Sequence, residues 1–133
     1  MKAKVLIIED DRDLASLFKI VLEMDGFEVS TVHDGVMGVE VLTSQPVPDA
    51  IMLDMHLPGV PGEEIYALMV ERGIAHRVVI CSADVQLVER YQGLGANAIT
   101  KPTPIDDIQR MIKDVVAAGE FAPTLPAMGV NQE

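Results

Sequence analysis

Val5-Leu6-Ile7-Ile8 runs straight into Glu9-Asp10-Asp11. Four apolar residues, stopped at once by three carboxylates, read as a short strand buried on both faces. The construction recurs three times further along. Ala50-Ile51-Met52-Leu53 runs into Asp54, Val78-Val79-Ile80-Cys81 into Ser82, and Ala98-Ile99-Thr100 into Lys101-Pro102. Helix-like segments separate these runs, so the strands are expected to be parallel and enclosed. In open α/β sheets ligands sit at the carboxyl ends of the strands. Carboxylates, a hydroxyl and an ammonium are therefore expected along one edge of one sheet.

Outward from these runs, the order is strand then helix, five times. The first strand is expected at 4–8. The first helix starts near Asp11, repeats Leu14, Leu17, Phe18, Val21 and Leu22 at helical spacing, and stops at Gly26. Strand 2, at 27–32, alternates polar and apolar residues, which marks a partly wet edge strand. Asp34 is placed to cap a helix at 35–44, and Pro46 and Pro48 bound the next loop. Strand 3 is expected at 49–53, followed by the turn Leu57-Pro58-Gly59-Val60-Pro61-Gly62 and a helix to Arg72 closed by Gly73. Strand 4 is expected at 77–81, a helix at 84–92 stopped by Gly93 and Gly95, and strand 5 at 97–100. Thr103 as cap with Pro104 in the first turn opens the last helix, which should reach Ala118. Residues 119–133, with Pro123 and Pro126 and no helical period, read as a tail or the start of a linker.

Alternating β and α elements imply right-handed crossovers and a parallel sheet. The common order for five such units is 2-1-3-4-5. It puts strand 2 at the edge, in agreement with its alternation, and makes the four polar strand ends contiguous.

With 133 residues the chain is one domain long, and 49% hydrophobic content suffices for a two-sided sheet. Net charge is −11 with no basic cluster, which argues against direct nucleic-acid binding. A single cysteine, Cys81, lies in an apolar strand and reads as inert. No disulfide can form within the chain, in keeping with the cytoplasm. Only four apolar residues precede the first acids, far short of a signal-peptide core. No run approaches the ~18–20 apolar residues of a membrane span.

Glu9, Asp10 and Asp54 would lie within a few ångströms of one another. Three close carboxylates repel by several kcal/mol at an effective dielectric of ~20, so some protonate or a cation joins them. An all-oxygen site suits Mg²⁺. With Lys101, it would draw phosphoryl oxygens to the same spot, where Asp54 could attack phosphorus and form an acyl phosphate. The Ser82 hydroxyl could donate to a phosphoryl oxygen once it is there.

These residues resemble a response-regulator receiver domain of two-component signalling, over about residues 3–118. The resemblance rests on Glu9-Asp10 after strand 1, Asp54 after strand 3, Pro58 and Gly62 in the following loop, Ser82-Ala83, and Lys101-Pro102. It implies a doubly wound, flavodoxin-like (βα)5 α/β fold, with a receiver over 1–118 and the tail after it. It also implies a signalling switch with Asp54 as phosphoacceptor and with Mg²⁺ held by Glu9, Asp10, Asp54 and the backbone carbonyl of His56. Ser82 and Lys101 would contact the phosphoryl group. Asp11 sits one place beyond the usual metal pair. The Lys101–Pro102 peptide is expected to be cis. The phosphodonor would be a histidine kinase or a histidine phosphotransfer protein, docking on helix 1 and the loop after strand 5. Output would pass to a downstream protein the sequence does not identify, and homodimers through helices 4 and 5 are common in the family. Such a protein catalyses only its own phosphorylation and dephosphorylation.

Two positions depart from the family. Ala98 stands where an aromatic residue is usual three before the lysine, and Thr103 where a large apolar residue often follows Lys-Pro. Both keep open a second reading, a receiver-fold binding module that acts without phosphate. A third, a small-molecule phosphatase with an aspartyl intermediate, would need a lid that these short loops do not supply. His33, His56 and His76 lack ligand-like spacing. Gly93-Leu94-Gly95 follows a helix and precedes a strand, the wrong order for a dinucleotide loop, and reads as a helix stop. Tyr91 reads as packing.

Overall fold

Each apolar run becomes one strand. The computed structural model describes residues 2–120. It contains β1 (Lys4–Ile8), α1 (Arg12–Met24), β2 (Glu28–Val32), α2 (Gly35–Ser44), β3 (Ala50–Asp54), α3 (Gly62–Glu71), β4 (Val78–Ser82), α4 (Val85–Gly93), β5 (Asn97–Thr100) and α5 (Ile105–Glu120). The sheet is wholly parallel in the order β2-β1-β3-β4-β5, with β2 at one edge as its alternation required. β3 and β4 are buried at every position, in keeping with their unbroken apolar runs.

Side chains alternate across the sheet and build two cores. Val5, Ile7 and Met52 face Phe18, Leu22, Ile108 and Ile112 of α1 and α5. Leu6, Ile8, Leu53 and Ile80 face Leu42, Ile65, Met69 and Leu87 of α2, α3 and α4. Each fully buried Leu or Ile contributes about 1.5–3 kcal/mol over an exposed one. The strands are thus rigid rails, and what stands at their ends is held in place. None of the described helices is long and apolar enough to cross a membrane.

Local chemistry sets the helix ends. The Asp11, Asp34 and Asp84 carboxylates accept from the backbone N–H of Leu14, Met37 and Leu87, so all three act as N-caps. Gly26, Gly73 and Gly95 follow helices with positive φ, the left-handed exits expected of them. Gly62 has a different task. A Cβ there would lie 2.5 Å from the Asp54 carbonyl oxygen, so only glycine lets α3 start against the end of β3.

Several boundaries differ from expectation. β3 and β4 sit one residue later, so that Asp54 and Ser82 belong to the strands. A short 3-10 turn, Ala75–Arg77, precedes β4 where no element was expected. Three residues carry too little pattern to announce such a turn. α5 opens at Ile105, and the Pro104 carbonyl, not the Thr103 side chain, heads the helix, accepting from the N–H groups of Asp107 and Ile108. The cap place is the residue immediately before the first helical one, here Pro104, so Thr103 stands one position too early. α5 passes Ala118 and runs through Glu120. The rest of the sequence-defined tail, 121–133, lies outside the described residues.

Candidate functional site

Lys101 lies between two carboxylates. Its Nζ is 2.8 Å from Glu9 Oε1 and 3.3 Å from Asp54 Oδ2. Glu9 and Asp54 are only 3% and 4% exposed, so these are ion pairs largely out of water. Asp10 is exposed beside them, and one oxygen from each of Glu9, Asp10 and Asp54 falls within 4.8 Å of the others. The backbone completes the frame. Asp54 Oδ1 accepts from His56 N at 3.0 Å, and Glu9 Oε2 accepts from Asp11 N at 3.2 Å. On the next rail, Ser82 is fully buried and its Oγ accepts from Asp84 N at 3.1 Å. Lys101 N donates to Ser82 O at 2.8 Å, tying the end of β5 to the end of β4. The Lys101–Pro102 peptide is cis.

The donor set tests well against a hard divalent cation. Three carboxylates are gathered with one ammonium among them, and the exposed Asp10 leaves the cluster open to water. Carboxylate oxygens with room for water are what Mg²⁺ prefers.

Burial is the dominant force on Glu9. It lifts the carboxyl from 4.5 to about 7, helped by the Asp54 charge and opposed by the Lys101 and Asp11 hydrogen bonds and the Lys101 charge. Burial also pulls the Lys101 ammonium down, but the Glu9 hydrogen bond and the two carboxylate charges outweigh it and leave its pKa raised. A raised carboxyl favours the fold while protonated. Its contribution is complete below pH ~4.5 and is lost as pH rises toward about 7. Glu9→Gln should therefore match wild type at pH 5 without metal and exceed it at pH 8. The shift sets a ceiling of about 3 kcal/mol, and water reaching the cluster brings the expected gain to ~1–2 kcal/mol. Urea denaturation in chelator at the two pH values measures this. A variant weaker than wild type at pH 8 would mean that the Lys101 pair outweighs burial.

The response regulator receiver domain family matches residues 5–113. The chain belongs to that family. Among curated relatives, this receiver is 29% identical over 111 residues to Response regulator MprA of Mycobacterium ulcerans, covering 81% of this chain and 47% of that protein. It is 29% identical over 116 residues to Sporulation initiation phosphotransferase F of Bacillus subtilis, covering 85% of this chain and 93% of that one. It thus spans about half the length of MprA and nearly all of the Bacillus protein. Among solved structures, a response regulator receiver domain protein from Clostridium thermocellum superposes with a TM-score of 0.79 at 25% identity, over 91% of this chain and 99% of that one. A Francisella response regulator receiver domain gives 0.79 at 23% identity, over 89% and 99%, a likeness of fold.

The receiver fold brings together Glu9, Asp10, Asp54 and Lys101 as the strand ends implied, with Ser82 on the adjacent strand. His56 enters through its backbone N–H, and its side chain is exposed. Asp11 is the cap of α1. One supporting residue escaped the sequence. β2 ends at Val32, and the residue after it, His33, stands at the one strand end for which the sequence suggested no role. Yet Val32 O accepts from Glu9 N at 3.0 Å, and His33 Nδ1 lies 3.0 Å from Glu9 O. The β1–β2 register, with Ile8 opposite Val32, was the signal that could have placed His33 beside Glu9.

Proposed function

We propose that Asp54 accepts a phosphoryl group from a phosphohistidine and that the resulting acyl phosphate switches this receiver's protein contacts. The observation that carries this reading is the Asp54 carboxylate itself, almost out of water, at a strand end, with Lys101 on one oxygen and His56 N–H on the other. A carboxylate so held has restricted rotation and an ordered approach to an incoming phosphorus. In the transfer, a carboxylate oxygen of Asp54 bonds to phosphorus, the P–N bond to the donor imidazole breaks, and the imidazole leaves with the bonding pair. Lys101 stays close enough to exchange its Asp54 contact for a phosphoryl oxygen. Ser82 Oγ already accepts one hydrogen bond, and its own proton is available for another.

Mg²⁺ held by Glu9, Asp10, Asp54 and the His56 carbonyl would supply positive charge for the phosphoryl oxygens. The donor would be a histidine kinase or a histidine phosphotransfer protein, and the output a change in binding to a downstream protein, in the cytoplasm. The receiver would occupy 1–118, and residues 119–133 would serve as a tail or linker. Turnover would be limited to loss of its own phosphate. Ala98 is buried on β5 with only a methyl group, so no aromatic swing from that position can report the change.

Intact mass after incubation with acetyl phosphate tests the reading. One addition of about 80 Da is expected, dependent on Mg²⁺ and removed by hydroxylamine, as an acyl phosphate is. No addition, either with acetyl phosphate or with a panel of phosphorylated histidine kinases, would sink it in favour of a module that binds without phosphate.

A further inference from the structure

Glu9 is tied to the end of β2 on both sides of its backbone. Its N–H donates to Val32 O at 3.0 Å, and its carbonyl oxygen lies 3.0 Å from His33 Nδ1. A carbonyl oxygen only accepts, so the hydrogen of that bond belongs to the ring, and Nδ1 is the nitrogen that carries it. His33 is half-buried in the turn between β2 and α2. Two residues on, Gly35 N donates to Pro58 O at 2.9 Å, and a Cβ on Gly35 would run into the Val60 carbonyl oxygen. Residues 32–35 therefore touch both limbs of the acidic site, the end of β1 with Glu9 and Asp10 and the loop that leaves Asp54.

The bond from His33 governs more than Glu9. The Glu9 carbonyl belongs to the planar peptide that joins Glu9 to Asp10. Holding that oxygen fixes the plane, and the plane fixes where the Asp10 Cα stands and from where its carboxylate projects. Asp10 depends on this, for it is exposed and takes part in none of the side-chain bonds that hold Glu9 and Asp54. A cation that draws on all three carboxylates binds best when Asp10 is already in place. Otherwise binding must also order the chain, at a cost in affinity.

We infer that His33 is a positioning residue for the cation site: as an Nδ1–H donor to the Glu9 carbonyl, it holds Asp10 ready for a divalent cation by acting through the backbone. The inference rests on the Mg²⁺ reading of the acidic cluster and adds to it a side chain from the end of β2. The route needs a donor at the Nδ1 place and nothing else from the ring. An asparagine puts its amide N–H the same number of bonds from the backbone, and a leucine puts a methyl group there. His33→Asn should therefore keep the affinity and His33→Leu lose it. Removing a partner that orients a metal ligand typically costs 10–100-fold in affinity, and because His33 acts at one remove about 10-fold is expected.

The test compares the full chain as wild type, His33→Leu and His33→Asn at pH 8. Imidazole nitrogen shifts of the metal-free wild type report which ring nitrogen carries the hydrogen, and Nδ1–H is expected. This reading needs no variant. Mg²⁺ alone is then titrated into each protein and followed by the amide shifts of residues 9–11 and 54–56. His33→Leu should bind about 10-fold more weakly than wild type, and His33→Asn within about 3-fold of it. Urea midpoints in chelator are measured on the same samples. A bond of merely structural worth would shift those midpoints and leave the Mg²⁺ constants equal. An Nε2–H ring, or equal Mg²⁺ affinity in wild type and His33→Leu, would overturn the inference, as would His33→Asn binding as weakly as His33→Leu. A wild type that takes up no Mg²⁺ would overturn the cation reading and this inference together, and is distinct from a wild type that binds beside a leucine variant that binds as well.

Discussion

Asp54→Asn should remove the acetyl phosphate mass addition entirely and leave the fold standing. The substitution keeps the shape of the side chain, and an amide oxygen can still accept from His56 N, which now bonds Asp54 Oδ1 at 3.0 Å. What disappears is the charge, and with it the nucleophile. Two opposing electrostatic changes accompany that loss. The variant forfeits the attraction of Lys101, 3.3 Å away. It is also freed from like charges within 4.8 Å on Glu9 and Asp10, where a pair repels by roughly 3.5 kcal/mol at an effective dielectric near 20. Terms of similar size and opposite sign should leave metal-free stability within about 1 kcal/mol of wild type. Labelling and urea denaturation on the same sample therefore separate loss of chemistry from loss of fold. A variant that still gains about 80 Da in a form that survives hydroxylamine would place the phosphate on a hydroxyl, Ser82 being the nearest candidate by position, and would end the case for Asp54.

The parts of this site that the sequence announced are those fixed by one strand at a time. An apolar run has a length, its end has a residue, and a parallel doubly wound sheet puts all such ends on one side. Glu9, Asp54, Ser82 and Lys101 needed nothing more, and even the edge position of β2 followed from its alternation. Relations between side chains on different strands were not legible. Lys101 was expected to await a phosphoryl group. In the structure it satisfies Glu9 and Asp54 together, because a long flexible ammonium near two buried carboxylates has no better partner. The raised pKa of Glu9 was equally hidden, since it comes from packing around the end of β1 and not from any neighbour in sequence. Residues 75–77 form a turn because Ile74 N–H returns to Met69 O and Arg77 N–H to Ile74 O, bonds that leave no hydrophobic period to read.

Lys101→Met should be the most destabilising change among the charged groups of the site, and the size of its effect should depend on both pH and Mg²⁺. Removing one partner of a buried ion pair strands the other, at a typical cost of 3–5 kcal/mol. The Lys101 side chain is 20% exposed, which moderates the figure, so ~2–4 kcal/mol is expected at pH 8 in chelator. Lowering the pH should shrink the loss. Glu9 holds its proton up to about 7 even with the ammonium beside it, and without that ammonium it should hold it more tightly still. At pH 5 the stranded charge on Glu9 is gone, so the missing ammonium costs less. The lysine's own titration does not interfere. Its pKa is raised by folding, so its contribution is complete everywhere below its ordinary range and is lost only at higher pH. Adding Mg²⁺ at pH 8 should recover much of the loss, because a divalent cation among Glu9, Asp10 and Asp54 replaces the missing positive charge. The double variant Lys101→Met/Glu9→Gln should be more stable in chelator than Lys101→Met alone, a non-additivity expected of groups in direct contact. Urea midpoints for the four proteins, at two pH values with and without Mg²⁺, measure every term. If Lys101→Met were as stable as wild type in chelator at pH 8, the three carboxylates would not be the coupled, cation-demanding cluster from which the phosphoryl-transfer reading is built.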